Sequence, residues 1–224
     1  MKHRCSTHSF YFIFLAALSV LLLSNCATFK PMALQFDAPP QGESTSSLCI
    51  FTLDTKNLIA PEYKPAAYNF QISDRDNVTV VEKYRFDKPV NAGDSRSGAN
   101  KYLVSIQLKP GQYILSNVKG GASNLLINGN FNFNTNVEID IPEPGIFYLG
   151  HMQMINRDKR EGEPRSGPVL PLIDQAVTGF SKGTFDIKVT DDSDADIQQF
   201  IQTYPWLRNK PIDKALMVNR PLVK

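Results

Sequence analysis

Between residues 47 and 190 the sequence predicts a mainly β domain, an antiparallel β-sandwich with a short helix at its C-terminal end. Three observations carry this. Apolar side chains recur every second residue in segment after segment, the period of a strand with one buried face. Prolines, glycines and asparagines separate those segments. One stretch after Asp191 changes to the helical period.

The elements follow in order. Residues 48–53 form a short apolar strand. Tyr68, Phe70 and Ile72 then alternate with Asn69 and Gln71. Val78, Val80, Tyr84 and Phe86 are expected on one face and Lys83 and Arg85 on the other. Glu82 on the apolar face points to an edge or a bulge. Over residues 102–108, Val104, Ile106 and Leu108 oppose Ser105 and Gln107. Lys109-Pro110-Gly111-Gln112 reads as a type II turn, with a strand over residues 113–118 after it. Leu125-Leu126-Ile127 and the pair Phe131 and Phe133 flank Asn128-Gly129, which predicts a type I′ hairpin. Val137, Ile139 and Ile141 alternate with Glu138 and Asp140 until Pro142. Residues 146–155 are apolar on both faces and read as a central strand. Phe185, Ile187 and Val189 close the series. Acidic residues 191–196 suit a helix N-terminus. Ile197, Phe200, Ile201 and Tyr204 then mark one helical face, and Pro205 ends it. A second short helix is expected from Pro211, with Ile212, Ala215 and Leu216 on its apolar side. The connections 54–66, 87–101 and 156–182 are long, and loops of that length are commonly functional.

Residues 1–25 have the three parts of an export signal. Lys2 and Arg4 make a basic start, residues 10–23 an apolar run, and Leu23-Ser24-Asn25 leads to Cys26. The run is shorter than the ~20 residues a bilayer-spanning helix needs. This segment resembles the bacterial lipobox, and Asn25 before the cysteine is similar to the relaxed lipoboxes of spirochaetal lipoproteins. The resemblance implies cleavage before Cys26, a diacylglycerol thioether on its sulfur and further acylation, palmitate included. It also implies a place in a bacterial cell envelope, at the outer membrane or cell surface. Acyl chains contribute about 0.8 kcal/mol per buried CH₂, so two or three anchor a domain without spanning the bilayer. Residues 26–46, with Pro31, Pro39, Pro40 and Gly42, are expected as a flexible tether. Residues 47–190 are then the sandwich and 191–224 a helical segment packed on it. Cys5 leaves with the signal, so Cys49 has no partner for an intrachain disulfide. Its apolar setting, Leu48-Cys49-Ile50-Phe51, marks it as a small buried residue.

A second resemblance covers about residues 100–207. Leu108-Lys109-Pro110-Gly111-Gln112-Tyr113 resembles the strand–turn–strand of prealbumin-like sandwich modules. Gly145-Ile146-Phe147-Tyr148-Leu149-Gly150 looks like a strand of small bacterial envelope lipoproteins. There it is often followed by a strand end like Val189-Thr190-Asp191, an acidic helix and Tyr204-Pro205. The resemblance implies a prealbumin or immunoglobulin-like sandwich and envelope location, and carries no catalytic residue.

Composition excludes some functions. Without Lys2 and Arg4, 22 basic residues balance 22 acidic ones, so bulk charge does not favour nucleic acid. His151 is the one histidine left after signal removal. Period 2 sets it on the face of Phe147 and Leu149, where packing is the expected role. Gly-x-Ser-x-Gly is absent, so no nucleophile turn supports a Ser-His-Asp site. One His and one Cys do not make a zinc site. Residues 93–98 begin like a phosphate loop, but Ala99 and Asn100 stand where Lys and Ser or Thr belong. Asp192, Asp194 and Asp196 have calcium-loop spacing, yet Ile197 replaces the required Gly, so an acidic helix start is the better account. Asn128 to Asn136 is asparagine-dense and expected as the polar face of a hairpin, with glycan or peptide binding as its functional counterpart. Arg157, Lys159, Arg160 and Arg165 alternate with acids in a solvated loop. No catalytic, cofactor-binding or metal-ligating residue is assigned.

The expectation is therefore a membrane-anchored lipoprotein that acts as a binding or structural module of the envelope. It would meet an envelope or extracellular protein or glycan, through loops 87–101 and 156–182. The alternative is a carboxylate-dependent envelope hydrolase, built on Asp and Glu pairs. Cys26→Ser is expected to leave unprocessed precursor that takes up no labelled fatty acid. Label retained by that variant would place the anchor elsewhere.

Overall fold

The computed structural model describes residues 28–36, 38, 40, 45–79, 81–92, 98–169 and 173–220. In chain order the strands are β1 (Ser47–Asn57), β2 (Ala66–Asp74), β3 (Val81–Arg85), β4 (Ala99–Leu108), β5 (Gly111–Ser123), β6 (Asn128–Ile141) and β7 (Ile146–Asp158). A short helix α1 (Ile173–Val177), strand β8 (Gly183–Thr190) and helix α2 (Ser193–Thr203) follow. A 3₁₀ turn (Pro205–Leu207) and the two-residue strands β9 (Asp213–Lys214) and β10 (Val218–Asn219) end the described chain.

The strands form two five-stranded sheets. One runs β4-β1-β7-β8, with β9 also beside β7; the other runs β10-β6-β5-β2-β3. Strand pairs are antiparallel except β1–β7 and β7–β9, which are parallel. The first sheet is therefore mixed, which period 2 cannot announce because it reads the same in either direction.

The alternating residues meet between the sheets. Phe51, Leu53, Val104, Ile106 and Leu149 from the first sheet face a common core with Phe70, Ile72, Leu115, Phe131 and Ile139 from the second. Burying each such side chain contributes roughly 1.5–3 kcal/mol. The first sheet is covered on its outer face as well. Leu48, Ile50, Leu103 and Tyr148 lie beneath Phe200 and Tyr204, Leu207 and Leu34. This second layer explains why β1 and β7 read as apolar on both faces.

Two chain segments close the sides of the domain. Part of the expected tether does not run free: Lys30 bridges to Tyr84 on β3, and the Ala33 amide donates to Ser105 O on β4 at 2.8 Å. Met32 enters the main core and Leu34 the outer layer, so this stretch is anchored by apolar packing as well as by backbone bonds. On the opposite side, no helix begins at Pro211. Residues 213–219 instead run from β7, through β9, to β6, through β10, and bury Met217 between the sheets. Two-residue pairings at each end leave too short a span for a helical turn there.

Three further expectations are corrected. β1 continues to Asn57, so Asp54 lies in a strand and not in a loop. The Val78 side chain is exposed and β3 begins only at Val81, although Glu82 does sit on an edge strand. The β5–β6 turn is Asn124 to Ile127 rather than Asn128-Gly129. Asn124 Oδ1 accepts from the Leu126 and Ile127 amides at 3.1 and 3.0 Å, an Asx turn that outcompetes the type I′ alternative. Leu125 and Leu126 stand exposed at its tip.

Gly129 instead pairs with Ala122 inside the ladder, and a Cβ built there collides with the Thr178 side chain. The described part of the 156–182 connection is likewise tied down. Ser166 is fully buried, and its backbone joins β6 to β8, accepting from Asn132 N at 3.1 Å and donating to Gly183 O at 2.8 Å. Gly129→Val is expected to cost about 1–3 kcal/mol through overpacking. Replacing Thr178 by Ala in the same chain should recover part of that loss in denaturant midpoint. No recovery would mean that a turn, not the Thr178 contact, requires the glycine.

Candidate functional site

A buried ionisable cluster lies on the outer face of the first sheet. It begins with a glycine. β7 pairs Tyr148 with Ile50 but His151 with Thr52, so two residues of β7 oppose one of β1. Gly150 carries φ 115°, a conformation that L side chains rarely adopt, and a Cβ there would lie 2.8 Å from Val189 Cγ1. The bulge reverses the phase of the strand. Phe147 and Leu149 face the core, as do Met152 and Met154, whereas His151 turns outward with Tyr148. The expectation that His151 shares the face of Phe147 and Leu149 is thereby corrected.

Carboxylates surround the ring. Nδ1 lies 3.0 Å from Asp196 Oδ2 and 3.2 Å from Oδ1, and Nε2 lies 3.2 Å from Asp54 Oδ2. Asp192 Oδ2 is 3.6 Å from Nδ1. Tyr148 donates its hydroxyl to Asp196 Oδ2 at 2.8 Å. His151 is 5% exposed and Asp196 2%. The bond to Asp196, then that to Asp54, outweighs the burial that opposes charge and lifts the imidazole to about 9. Burial raises the Asp196 carboxyl, but the bonds from His151 and Tyr148 outweigh it and hold the group below its usual value. Burial, then the bond to Asp196, pushes the Tyr148 phenol well above its ordinary range.

The chemistry follows from this geometry. An imidazolium donates from both nitrogens, and both are engaged by carboxylates. No ring lone pair is left to accept a proton from a substrate. The ring also lies between Asp54 and Asp196. The cluster joins β1, β7 and α2.

A second polar surface lies on the outer face of the other sheet. Gln71, Ser73, Ser116, Asn117, Asn132 and Asn134 line a shallow depression of about 520 Å³. Asn117 Nδ2 donates to Asn132 Oδ1 at 2.7 Å and to Asn134 Oδ1 at 3.1 Å. Amides both donate and accept, so this face can hydrogen-bond a neutral polar ligand.

The remaining sequence candidates scatter. Cys26 lies outside the described residues, as does most of the phosphate-loop-like stretch at 93–98. Cys49 is fully buried, and burial pushes its thiol up to about 12. Asp196 is more than part of an acidic helix start, since it turns inward with Ser193 and Phe200. Arg157 forks between Glu163 and Asp186 at 2.6–2.8 Å rather than floating in solvent. Among the described residues, no group of three or more His, Cys, Asp or Glu is arranged to hold a metal ion, and no helix is long and apolar enough to cross a membrane.

Because the imidazole pKa is raised on folding, its stabilisation is complete below its unfolded value of ~6.5 and is lost as pH rises through about 9. The denaturant midpoint is expected to fall across that window, by about 3 kcal/mol in stability. His151→Gln should flatten this dependence. A wild-type midpoint unchanged from pH 6 to 9.5 would show that the ring folds neutral. No family model, no curated protein and no solved structure matches this chain.

Proposed function

We propose that this protein is a lipid-anchored binding module of a bacterial cell envelope, held to the membrane through Cys26. In this reading its two-sheet domain is a prealbumin-like sandwich that engages an envelope or extracellular protein or glycan. The observation that carries the binding reading is the double engagement of His151. The best general base in the mature chain is spent on joining a helix to a sheet. The amide-lined depression supplies a polar contact surface instead. For the sandwich type, the support is the Tyr113 hydroxyl, which donates to Lys109 O at 2.9 Å across the Pro110-Gly111 link between the two sheets. A tyrosine that bonds back to the upstream backbone is a recurrent corner of such folds.

The test is photo-crosslinking in intact cells from a reactive residue placed at Asn134, combined with a turnover assay of the solubilised lipoprotein on cell-wall glycan and peptide. A discrete adduct without turnover is the expected result. Turnover lost in a folded Asp54→Asn variant would replace binding with the carboxylate-hydrolase alternative.

A further inference from the structure

Resting on the Cys26 anchor of the reading above, we propose that the depression beside the edge of β3 is the face this domain lays on the bilayer, with Arg85 and Lys88 set against anionic phospholipid headgroups. The domain then sits on the membrane and not at a tether's length from it.

The length of the leash decides which face can reach. The described chain begins at Thr28, two positions after Cys26. Two positions later the backbone is already fixed on the domain. Lys30 N donates to Lys83 O at 2.7 Å and Lys30 O accepts from Arg85 N at 2.9 Å, so residue 30 is one more rung outside β3. Four residues between Cys26 and Lys30 span at most about 14 Å at ~3.6 Å each. A domain of this size has a radius of gyration of about 16 Å, so its far side lies beyond that reach. β3 is one edge of the second sheet and β10 the other. A lipid on Cys26 therefore brings the β3 edge, and not the β10 edge, to the headgroups.

The lining of that edge fits a membrane interface. The depression is about 380 Å³. Phe29 and Tyr68 line it and remain 37% and 48% exposed. Tyrosine suits headgroup level, where one end of the ring is in an apolar setting and the other is wet. The Arg85 guanidinium lies over the Phe29 ring, 5.9 Å from its centroid. A guanidinium on an aromatic face keeps its in-plane donors for phosphate oxygens. Lys88 is exposed in the same lining. Arg85, Asn69 and Lys119 lie in one row across β3, β2 and β5, so a third base continues this face. Lys30 adds little, because Glu82 holds its ammonium at 2.7 Å. Asp87 is the acid of the lining, and burial raises its carboxyl above the ordinary value, which weakens its opposition to an anionic surface. A few bases and two rings bind a bilayer weakly alone, but beside an acyl anchor they act as the second signal that orients the domain.

The test uses the processed lipoprotein in vesicles, with one fluorophore on a cysteine placed at Val90 or at Lys188. Val90 is exposed and follows Pro89 at the rim of the depression, whereas Lys188 is exposed on β8, an edge strand of the first sheet. Cys49 is fully buried and Cys26 is alkylated, so each variant has one reactive thiol. The quencher is a lipid with a nitroxide headgroup, in phosphatidylcholine with or without phosphatidylglycerol. With phosphatidylglycerol, quenching at position 90 should exceed that at 188 at least threefold. It should fall at least twofold without phosphatidylglycerol, at high salt, or in the double variant Arg85→Gln, Lys88→Gln. Equal quenching at 90 and 188 would overturn the proposal. Strong quenching at 90 that ignores both phosphatidylglycerol and the double variant would leave the short leash alone and overturn the headgroup contact. A label at 90 shielded in detergent under conditions where the lipoprotein dimerises would give this face to a second copy and end the proposal. Mass spectrometry of the same sample separates the two readings. Cys26 without acyl groups removes the anchor, and the membrane face with it. Acylated Cys26 with equal quenching removes the membrane face and leaves the anchored module standing.

Discussion

An imidazole held between the buried Asp196 and the half-buried Asp54 fixes how the outer layer sits on the first sheet. Asp196 is almost without solvent contact, and an ionised carboxyl in that position is costly unless paired. Its partners are His151 on β7 and the hydroxyl of Tyr148 two positions before the bulge. Asp54 on β1 balances the second ring nitrogen. Loss of any one member leaves another charge buried and uncompensated, which typically costs several kcal/mol. Apolar contact alone would let α2 roll or slide, because hydrophobic burial is not directional. The ionic contact is directional. It sets the rotation that brings Phe200 and Tyr204 over Leu48, Ile50 and Leu103.

That contact exists only because β7 changes phase at Gly150. Without the bulge, His151 would follow Leu149 toward the main core and away from the carboxylates. A glycine is needed twice over at this position, once for its positive φ and once for the approach of Val189. The bulge also divides the edge of β7. β8 pairs with His151 through Asp158, whereas β9 pairs with Phe147 and Tyr148 on the other side of Gly150. One local irregularity thus aims the histidine and admits the C-terminal strap.

Much of the core was legible in the sequence, because alternation in β4, β6 and β8 was uninterrupted over the stretches that matter. Val104, Ile106, Ile139, Ile141 and Phe185 point inward as their spacing requires. The cluster at His151 was not legible, for two physical reasons. Simple alternation runs straight through a bulge, although a glycine inside a strand is the available warning. Asp54 reads as loop because Asp54, Thr55, Lys56 and Asn57 are polar, yet Thr55 and Asn57 are buried. Thr55 donates to Pro65 O and Asn57 Nδ2 to Tyr63 O, so side-chain bonds replace apolar packing there. Asp196 did carry a signal. It stands four residues before Phe200 on the same helical face, where a solvated acid at a helix start is out of place. The hairpin at Asn124 shows the converse error: Asn-Gly is a strong turn signal, but a neighbouring asparagine four residues earlier supplied a turn of its own.

The edges connect this architecture to function. Each side of a two-sheet domain exposes strand edges that invite pairing with other chains. Here short segments of the same chain cover them. Lys30–Ala33 joins β3 to β4, Ser166 joins β6 to β8, and residues 213–220 join β7 to β6. Covering an edge by pairing satisfies its backbone groups more fully than placing a charge beside them, and it also restrains the sheets against each other. It has a geometric consequence on the β6–β8 side. Among the described residues, two caps arrive from opposite ends of the edge, one held by the buried hydroxyl of Ser166 and the other by the Asn136–Arg220 contact. Phe133 and Phe185 meet edge-on at 5.5 Å between them. A surface in which most polar groups are already satisfied would be indifferent to partners, so selectivity concentrates where satisfaction stops.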